Sequence, residues 1–438
     1  MKTRNKAILA AGLTLAAAFT VKADAVTPSV SNVTMAQNAD SRTVTVTYTL
    51  SDAPAIITLD VLTNGVSIGQ ENVWSLAGDV NMVVQNGSDT KTITWHPDKS
   101  WPDQKFGAGV VSAKVTAWAV NDPPMYLAAD LVSGDVKYYT CAEAVPGGVQ
   151  DILYKTTSLL MRRIYSRGKA FMMGSPKDEY GAWISDGRET QHEVSFSHDY
   201  YIGVYEVTQQ QWAQLMSAWP SYHRNDACKA TRPVENITYA QIRDNATSAA
   251  PANASFLGKL RAKFSDAFAF DLPGAAQWEY ACRAGNGDYK WGDGTPISSS
   301  LNGAGNNKDY EDVAFNEIAR NAYNNAMGTY SAAAATLATT SENVDATCGT
   351  ALVGSYRPNS WGLYDMHGNV WEICLDQFSG NDSNPYVETP TPATASNNHP
   401  LKGGSFQRGP FRHRAAFQLG WDRTAAQDRG IRVAWTLD

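Results

Sequence analysis

The stretch Asn359-Ser360-Trp361-Gly362-Leu363-Tyr364-Asp365-Met366-His367-Gly368-Asn369-Val370-Trp371-Glu372 decides how this chain is read. It shows neither the alternation of a half-buried strand nor the 3.6-residue stripe of a helix. Trp361 and Trp371 are core anchors, and the Gly368-Asn369 pair marks a tight turn between two carboxylates, Asp365 and Glu372. The same mixture runs through the whole chain, which has 13 Trp, 20 Tyr and 34 Gly in 438 residues. Irregular, loop-rich packing is expected rather than a helical bundle.

Working outward, 43% hydrophobic and 18% charged residues describe ordinary globular material of two or three domains. A net charge of −7 excludes a broad electrostatic attraction to nucleic acid or anionic lipid. At the N-terminus, Lys2, Arg4 and Lys6 precede the small apolar run Ala7 to Val21 and the exit Ala23-Asp24-Ala25. This is the three-part form of a secretory signal peptide, residues 1–25, and it predicts export to the periplasm, the cell surface or the medium. No later segment is apolar enough for a stable membrane span. The five cysteines, Cys141, Cys228, Cys282, Cys348 and Cys374, include no CxxC pair, so a closed cysteine-rich zinc site is not expected. One or two disulfides among the last four remain open.

Residues 26–120 read as strands. Thr43 to Leu50 alternates with period two, and Ile56 to Leu62, Thr90 to Trp95 and Val110 to Trp118 continue the pattern between turn signals. This predicts an all-β sandwich, and the module resembles immunoglobulin-like or fibronectin-like domains. Asn121-Asp122-Pro123-Pro124 marks a boundary, residues 121–158 read as a connecting segment, and a second domain covers 159–438. Its helices are few: one begins after Thr208 as N-cap and runs to Met216, and another spans Gly274 to Ala284 and stops at Gly285. Ala332 to Ala335 is a low-complexity insertion.

A set of short blocks then appears in order. Phe171-Met172-Met173-Gly174-Ser175-Pro176 is followed by His192-Glu193-Val194 and by Tyr201-Ile202-Gly203-Val204-Tyr205-Glu206-Val207-Thr208-Gln209. Next come Arg232-Pro233-Val234, Leu272 to Ala281, Trp291-Gly292 and the 359–372 stretch. Lys402-Gly403-Gly404-Ser405-Phe406 and Arg429-Gly430-Ile431-Arg432-Val433 close the series. Over 159–438 this order resembles the formylglycine-generating enzyme family, also called the sulfatase-modifying factor family. The resemblance implies an α+β domain, related to C-type lectins, whose loops calcium helps to hold. Its matching structural calcium positions here are Asp365, Gly368, Val370 and Glu372, and two carboxylates with peptide carbonyls suit a hard cation. A second family calcium site falls in the divergent region Asn302 to Asn325, where Asp309, Glu311 and Asp312 are either ligands or a solvated acidic run.

The resemblance also implies chemistry that these residues do not support. Aerobic family members bind copper(I) on two cysteines that follow the Gly-Gly-Ser block, because soft thiolates select that ion. The matching positions are Arg408 and His413, and no cysteine follows Cys374. Copper-dependent formylglycine generation is not expected. A related branch uses a three-histidine iron site, but the seven histidines present no matching motif, so iron is not supported either. What remains is a candidate pocket at Ser405, Gln407, Arg408, Arg412, His413 and Arg414. In an extended segment Arg412 and Arg414 share a face that suits a carboxylate, a phosphate or a peptide C-terminus. Alternatively, one of these arginines pairs with Asp365, Glu372 or Asp376 in the core. The leading expectation is an exported binding or assembly protein with a protein, peptide or glycan partner. The alternative is a metal-dependent oxidoreductase or protein-modifying enzyme of the same family.

Overall fold

The computed structural model describes residues 26–437 except 39, 105–108, 184–186, 225–227, 244–249, 266, 302–311, 325–348, 379–385, 389 and 391–397. Residues 1–25, Asp309, Glu311, Ala332 to Ala335 and Cys348 therefore lie outside the described residues.

The alternation from Thr43 becomes a strand, Thr43–Ser51, in which Val44, Val46, Tyr48 and Leu50 are buried and the residues between them are not. It pairs antiparallel with Ser29–Asn38 and Lys91–Trp95, and Leu76–Gly78 adds to the far side of Lys91–Trp95. A second sheet centres on Ala55–Thr63, which pairs antiparallel with Val111–Ala119 along its whole length. Ile57, Leu59 and Val61 from this sheet share one apolar cluster with Val44, Val46, Tyr48, Ile93 and Trp95 from the first. Tyr48 keeps its hydroxyl satisfied inside by donating to the Asp79 carbonyl at 2.7 Å.

The expected connecting segment 121–158 is not a linker. Tyr126–Asp130 and Val136–Tyr139 are strands, and they lie at one side of a five-stranded sheet. Its order continues through Ser158–Ile164, Tyr200–Gly203 and the C-terminal strand Ala434–Thr436. Tyr126, Leu127, Ala128 and Ala129 are all buried, so this strand needs cover on both faces and cannot serve as an exposed tether. The first unit docks here. Tyr138 N–H donates to the Asn81 carbonyl at 2.8 Å, and Ile56 is buried in the cluster that holds Leu127 and Met161.

The helix Gln209–Met216 starts as expected. Thr208 Oγ1 accepts from Gln211 N–H, and Gln211 Oε1 accepts from Thr208 N–H, a reciprocal capping box. Trp212 stacks on Phe256 at 4.9 Å, the first residue of a helix Phe256–Phe264 that periodicity alone did not reveal. The helix Ala275–Arg283 ends two residues before Gly285, because Ala284 itself takes the left-handed conformation, with φ at 50°. Its N-terminus is held from a distant segment: Ala275 N–H donates to Asp376 Oδ2 at 2.5 Å. A four-stranded sheet, in the order Leu419–Trp421, His399–Lys402, Trp371–Ile373 and Arg429–Gly430, then brings the late sequence blocks side by side. Few helices and many short strands make the second unit α+β. Among the described residues no helix is long and apolar enough to cross a membrane.

Candidate functional site

The 359–372 loop is built by side chains that substitute for regular backbone pairing. Asn359 Nδ2 donates to the Ala281 carbonyl at 2.8 Å, satisfying the end of the Ala275–Arg283 helix. Its Oδ1 accepts from Trp361 and Leu363 N–H, each at 3.0 Å. Asp365, Gly368 and Asn369 all have positive φ, so the chain reverses tightly here. Gly368 N–H donates to the Gly403 carbonyl at 2.7 Å and Phe406 N–H to the Asn369 carbonyl at 2.8 Å, which ties this loop to the Gly403-Gly404-Ser405 block. Asn369 Nδ2 donates to Glu206 Oε2 at 2.6 Å, and Val370 N–H to Glu206 Oε1 at 3.1 Å.

The six candidate pocket residues divide between interior and surface. Ser405, His413 and Arg414 are buried, whereas Gln407, Arg408 and Arg412 are half-buried. The segment is not extended. Pro410–His413 is a 3-10 turn, so Arg412 and Arg414 do not share a face. Arg414 is a core residue whose Nη2 meets both oxygens of Glu189 at 2.8 Å and whose Nη1 meets Glu179 Oε1 at 3.1 Å. Ser405 Oγ donates to Asp428 Oδ2 at 3.1 Å. The partners of these residues are Glu179, Glu189 and Asp428, none of which the sequence reading singled out.

His413 is sealed. Its Nδ1 lies 2.9 Å from the Gly409 carbonyl and its Nε2 3.1 Å from the Ser405 carbonyl. Burial pushes its pKa down to about 3, so the imidazole is neutral and donates to only one of them. His367 is neutral as well. Its Nε2 accepts from Gly292 N–H at 2.9 Å, which leaves Nδ1 to donate to the His413 carbonyl at 2.8 Å. Beside them Lys402 Nζ bonds Glu279 Oε2 at 3.0 Å, and Arg283 Nη2 bonds Glu279 Oε1 at 2.8 Å. Burial opposes ionisation of Glu279, yet Lys402 and Arg283 hold its carboxyl below the usual range.

The calcium set implied by the resemblance, Asp365, Gly368, Val370 and Glu372, does not fit an oxygen cage. Arg432 Nε and Nη2 donate to Glu372 at 2.8 and 2.5 Å, and Trp278 Nε1 donates to it at 2.6 Å. Asp365 Oδ2 accepts from Gly354 N–H at 2.7 Å, which leaves only Oδ1 open. Calcium takes six to eight oxygens. Among the described residues no group of three or more His, Cys, Asp and Glu is placed to hold a metal ion. Among the described residues Cys141, Cys228, Cys282 and Cys374 are free thiols; Cys348, the other expected disulfide candidate, lies outside them.

His399 provides a measurable pH signature. It stacks on Tyr239 at 4.0 Å, and its Nδ1 lies 3.2 Å from the Cys374 carbonyl. Burial, with Arg423 adding to it, pushes the pKa down to about 4 from 6.5. The unfolded chain therefore takes up this proton first, and the associated stability, full above pH 6.5, is lost as pH falls towards 4. His399→Phe keeps the stacking and removes the titration. Between pH 7 and 4 the parent chain should lose about 3 kcal/mol more than the variant, read from denaturant curves across that range. Parallel curves for the two proteins would contradict this.

Known proteins are similar to this chain over all or part of the second unit. A profile of the sulfatase-modifying factor enzyme 1-like domain matches residues 160–437. The formylglycine-generating enzyme of Streptomyces coelicolor is 47% identical over 62 residues, which is 13% of this chain and 18% of that protein. The Mus musculus formylglycine-generating enzyme is 30% identical over 137 residues, 31% of this chain and 30% of that protein. The chain thus spans less than a third of the length of these curated relatives. Among solved structures, Treponema denticola variable protein 1 aligns with a TM-score of 0.44 and 20% identity over 64% of this chain and 95% of its own. PvdO from Pseudomonas aeruginosa aligns with a TM-score of 0.45 and 21% identity over 64% of this chain and 95% of its own. Because the profile runs from the strand Ser158–Ile164 to the C-terminal strand, covering well over half of the sequence, the chain belongs to the sulfatase-modifying factor enzyme 1-like family.

Proposed function

We propose that this family member is exported and uses its scaffold for binding or assembly rather than for copper-dependent formylglycine generation. The observation that carries this reading is the content of the two positions that match the family's copper-binding cysteines. One holds Arg408, a permanent cation that cannot ligate copper(I). The other holds His413, which is buried with both ring nitrogens directed at backbone carbonyls. No cysteine follows Cys374 to replace them. Arg408 and Arg412, both half-buried, are read as a cationic rim beside this block that would suit a carboxylate or phosphate on a protein, peptide or glycan. The N-terminal two-sheet unit is read as an immunoglobulin- or fibronectin-like spacer, and residues 1–25 as the removed signal peptide.

The test offers the purified protein a cysteine-containing sulfatase peptide with copper(I) and oxygen. No aldehyde is expected by carbonyl-specific labelling and mass spectrometry, and stoichiometric aldehyde would overturn the proposal. A second arm presents peptides with free and amidated C-termini. Retention of the free form, lost in Arg408→Ala and Arg412→Ala, is the outcome expected of an anion-binding rim. Equal retention by the parent and both variants counts against it.

A further inference from the structure

We infer that the guanidinium of Arg432 is the resident cation of the centre formed by Glu206, Asp365 and Glu372, standing where the resemblance places calcium. Arg432 meets Glu372 in a buried polar junction beside Glu206 and Asp365. Arg432, Glu206 and Glu372 are 0–1% exposed and Asp365 is 3% exposed. Arg432 Nε and Nη2 form a two-pronged pair with Glu372 at 2.8 and 2.5 Å. Its remaining donors reach the Gly203 carbonyl at 2.9 Å and the Tyr364 carbonyl at 2.8 Å. One side chain therefore ties together three segments: the end of the Tyr200–Gly203 strand, the 359–372 loop and the C-terminal block.

The same oxygens are not free for a metal. Three N–H donors already converge on Glu372, and a calcium ion would need to approach within about 2.3–2.6 Å of those oxygens, against the guanidinium charge. Glu206 is likewise met by donors on both oxygens, Asn369 Nδ2 and Val370 N–H. Asp365 Oδ1, the one carboxylate oxygen of the three residues without a partner, offers a single ligand. A planar fork suits this role where a spherical ion does not, because it delivers directed donors to a carboxylate and to peptide carbonyls at once. Calcium-independence of this centre is the functional consequence.

Two measurements test this. Crystals of the parent protein grown in millimolar calcium are expected to show Arg432 against Glu372 with no ion bonded to either Glu372 oxygen. An ion coordinated by Glu372 overturns the inference. Thermal unfolding of the parent and of Glu372→Gln is then followed in EDTA and in calcium. The variant is expected to melt lower by the same interval in both buffers, so any calcium-dependent gain elsewhere in the chain persists undiminished. Abolition of a calcium-dependent gain by Glu372→Gln overturns it as well. The crystal arm is decided on the unaltered chain and does not depend on the variant folding.

Discussion

Arg414→Met is expected to destabilise the second unit by about 3–5 kcal/mol, the usual cost of removing one partner from a buried charge network. The reason lies in what stays behind. Glu189 is 2% exposed and Glu179 is 6% exposed, and Arg414 is the cation that bonds both. Ser175 Oγ and Trp183 N–H also donate to Glu189 Oε2, at 2.9 and 3.2 Å, so the carboxylate is fixed in place and cannot turn to solvent. Arg414→Lys keeps the charge but not the fork that spans two carboxylates, and a loss of intermediate size is expected. Adding Glu189→Gln to Arg414→Met should recover part of the loss, because one stranded charge is then removed. Denaturant unfolding followed by tryptophan fluorescence reads all three. An Arg414→Met protein as stable as the parent would show that the network is not a core element, and would return Arg414 to the list of candidate ligand contacts.

Gly368→Ala is the second large effect, at about 3 kcal/mol or more. Gly368 has φ at 88°, a region that costs an L side chain roughly 1–2 kcal/mol on its own. The new methyl would also lie 2.2 Å from the Arg320 carbonyl oxygen. That neighbour is backbone and cannot swing aside. Its carbonyl also accepts from Asn369 N–H at 2.9 Å, so retreat breaks a second contact. Gly287→Ala is the control. Nothing lies within 4 Å of a methyl at Gly287, and its backbone is not in the left-handed region, so a change within about 0.5 kcal/mol is expected. Equal stability of the two variants would remove the argument that the Gly368-Asn369 turn requires glycine.

Parts of this are legible in the sequence. The Thr43–Ser51 alternation, the Thr208 cap and the body of the Ala275–Arg283 helix depend on local chemistry: side-chain period two, a hydroxyl reaching back to an amide, apolar residues recurring at helical spacing. Other features depended on distant partners. The strands at Tyr126–Asp130 and Val136–Tyr139, which pair with each other, the first also with Ser158–Ile164, looked like connection, because Tyr126 to Ala129 takes cover on both faces from other segments and so lacks a period-two alternation. The helix Phe256–Phe264 is held by packing on Trp212 rather than by a pronounced sequence signal.

The candidate site shows the same division. By itself the sequence determined that no thiol follows Cys374, that Arg408 and His413 stand after the Gly-Gly-Ser block, and that Gly368 and Asn369 form a turn between two carboxylates. These are statements about identity and order, which the chain carries along its length. Only the tertiary structure decided which arginine meets which acid. Both Arg414 and Arg432 are long, cationic and close in sequence to several carboxylates, so composition offers many pairings. Burial selects among them, because an interior charge is tolerated only where a fixed partner faces it. Those partners, Glu179 and Glu189 for Arg414 and Glu372 for Arg432, come from segments 60 to 235 residues away.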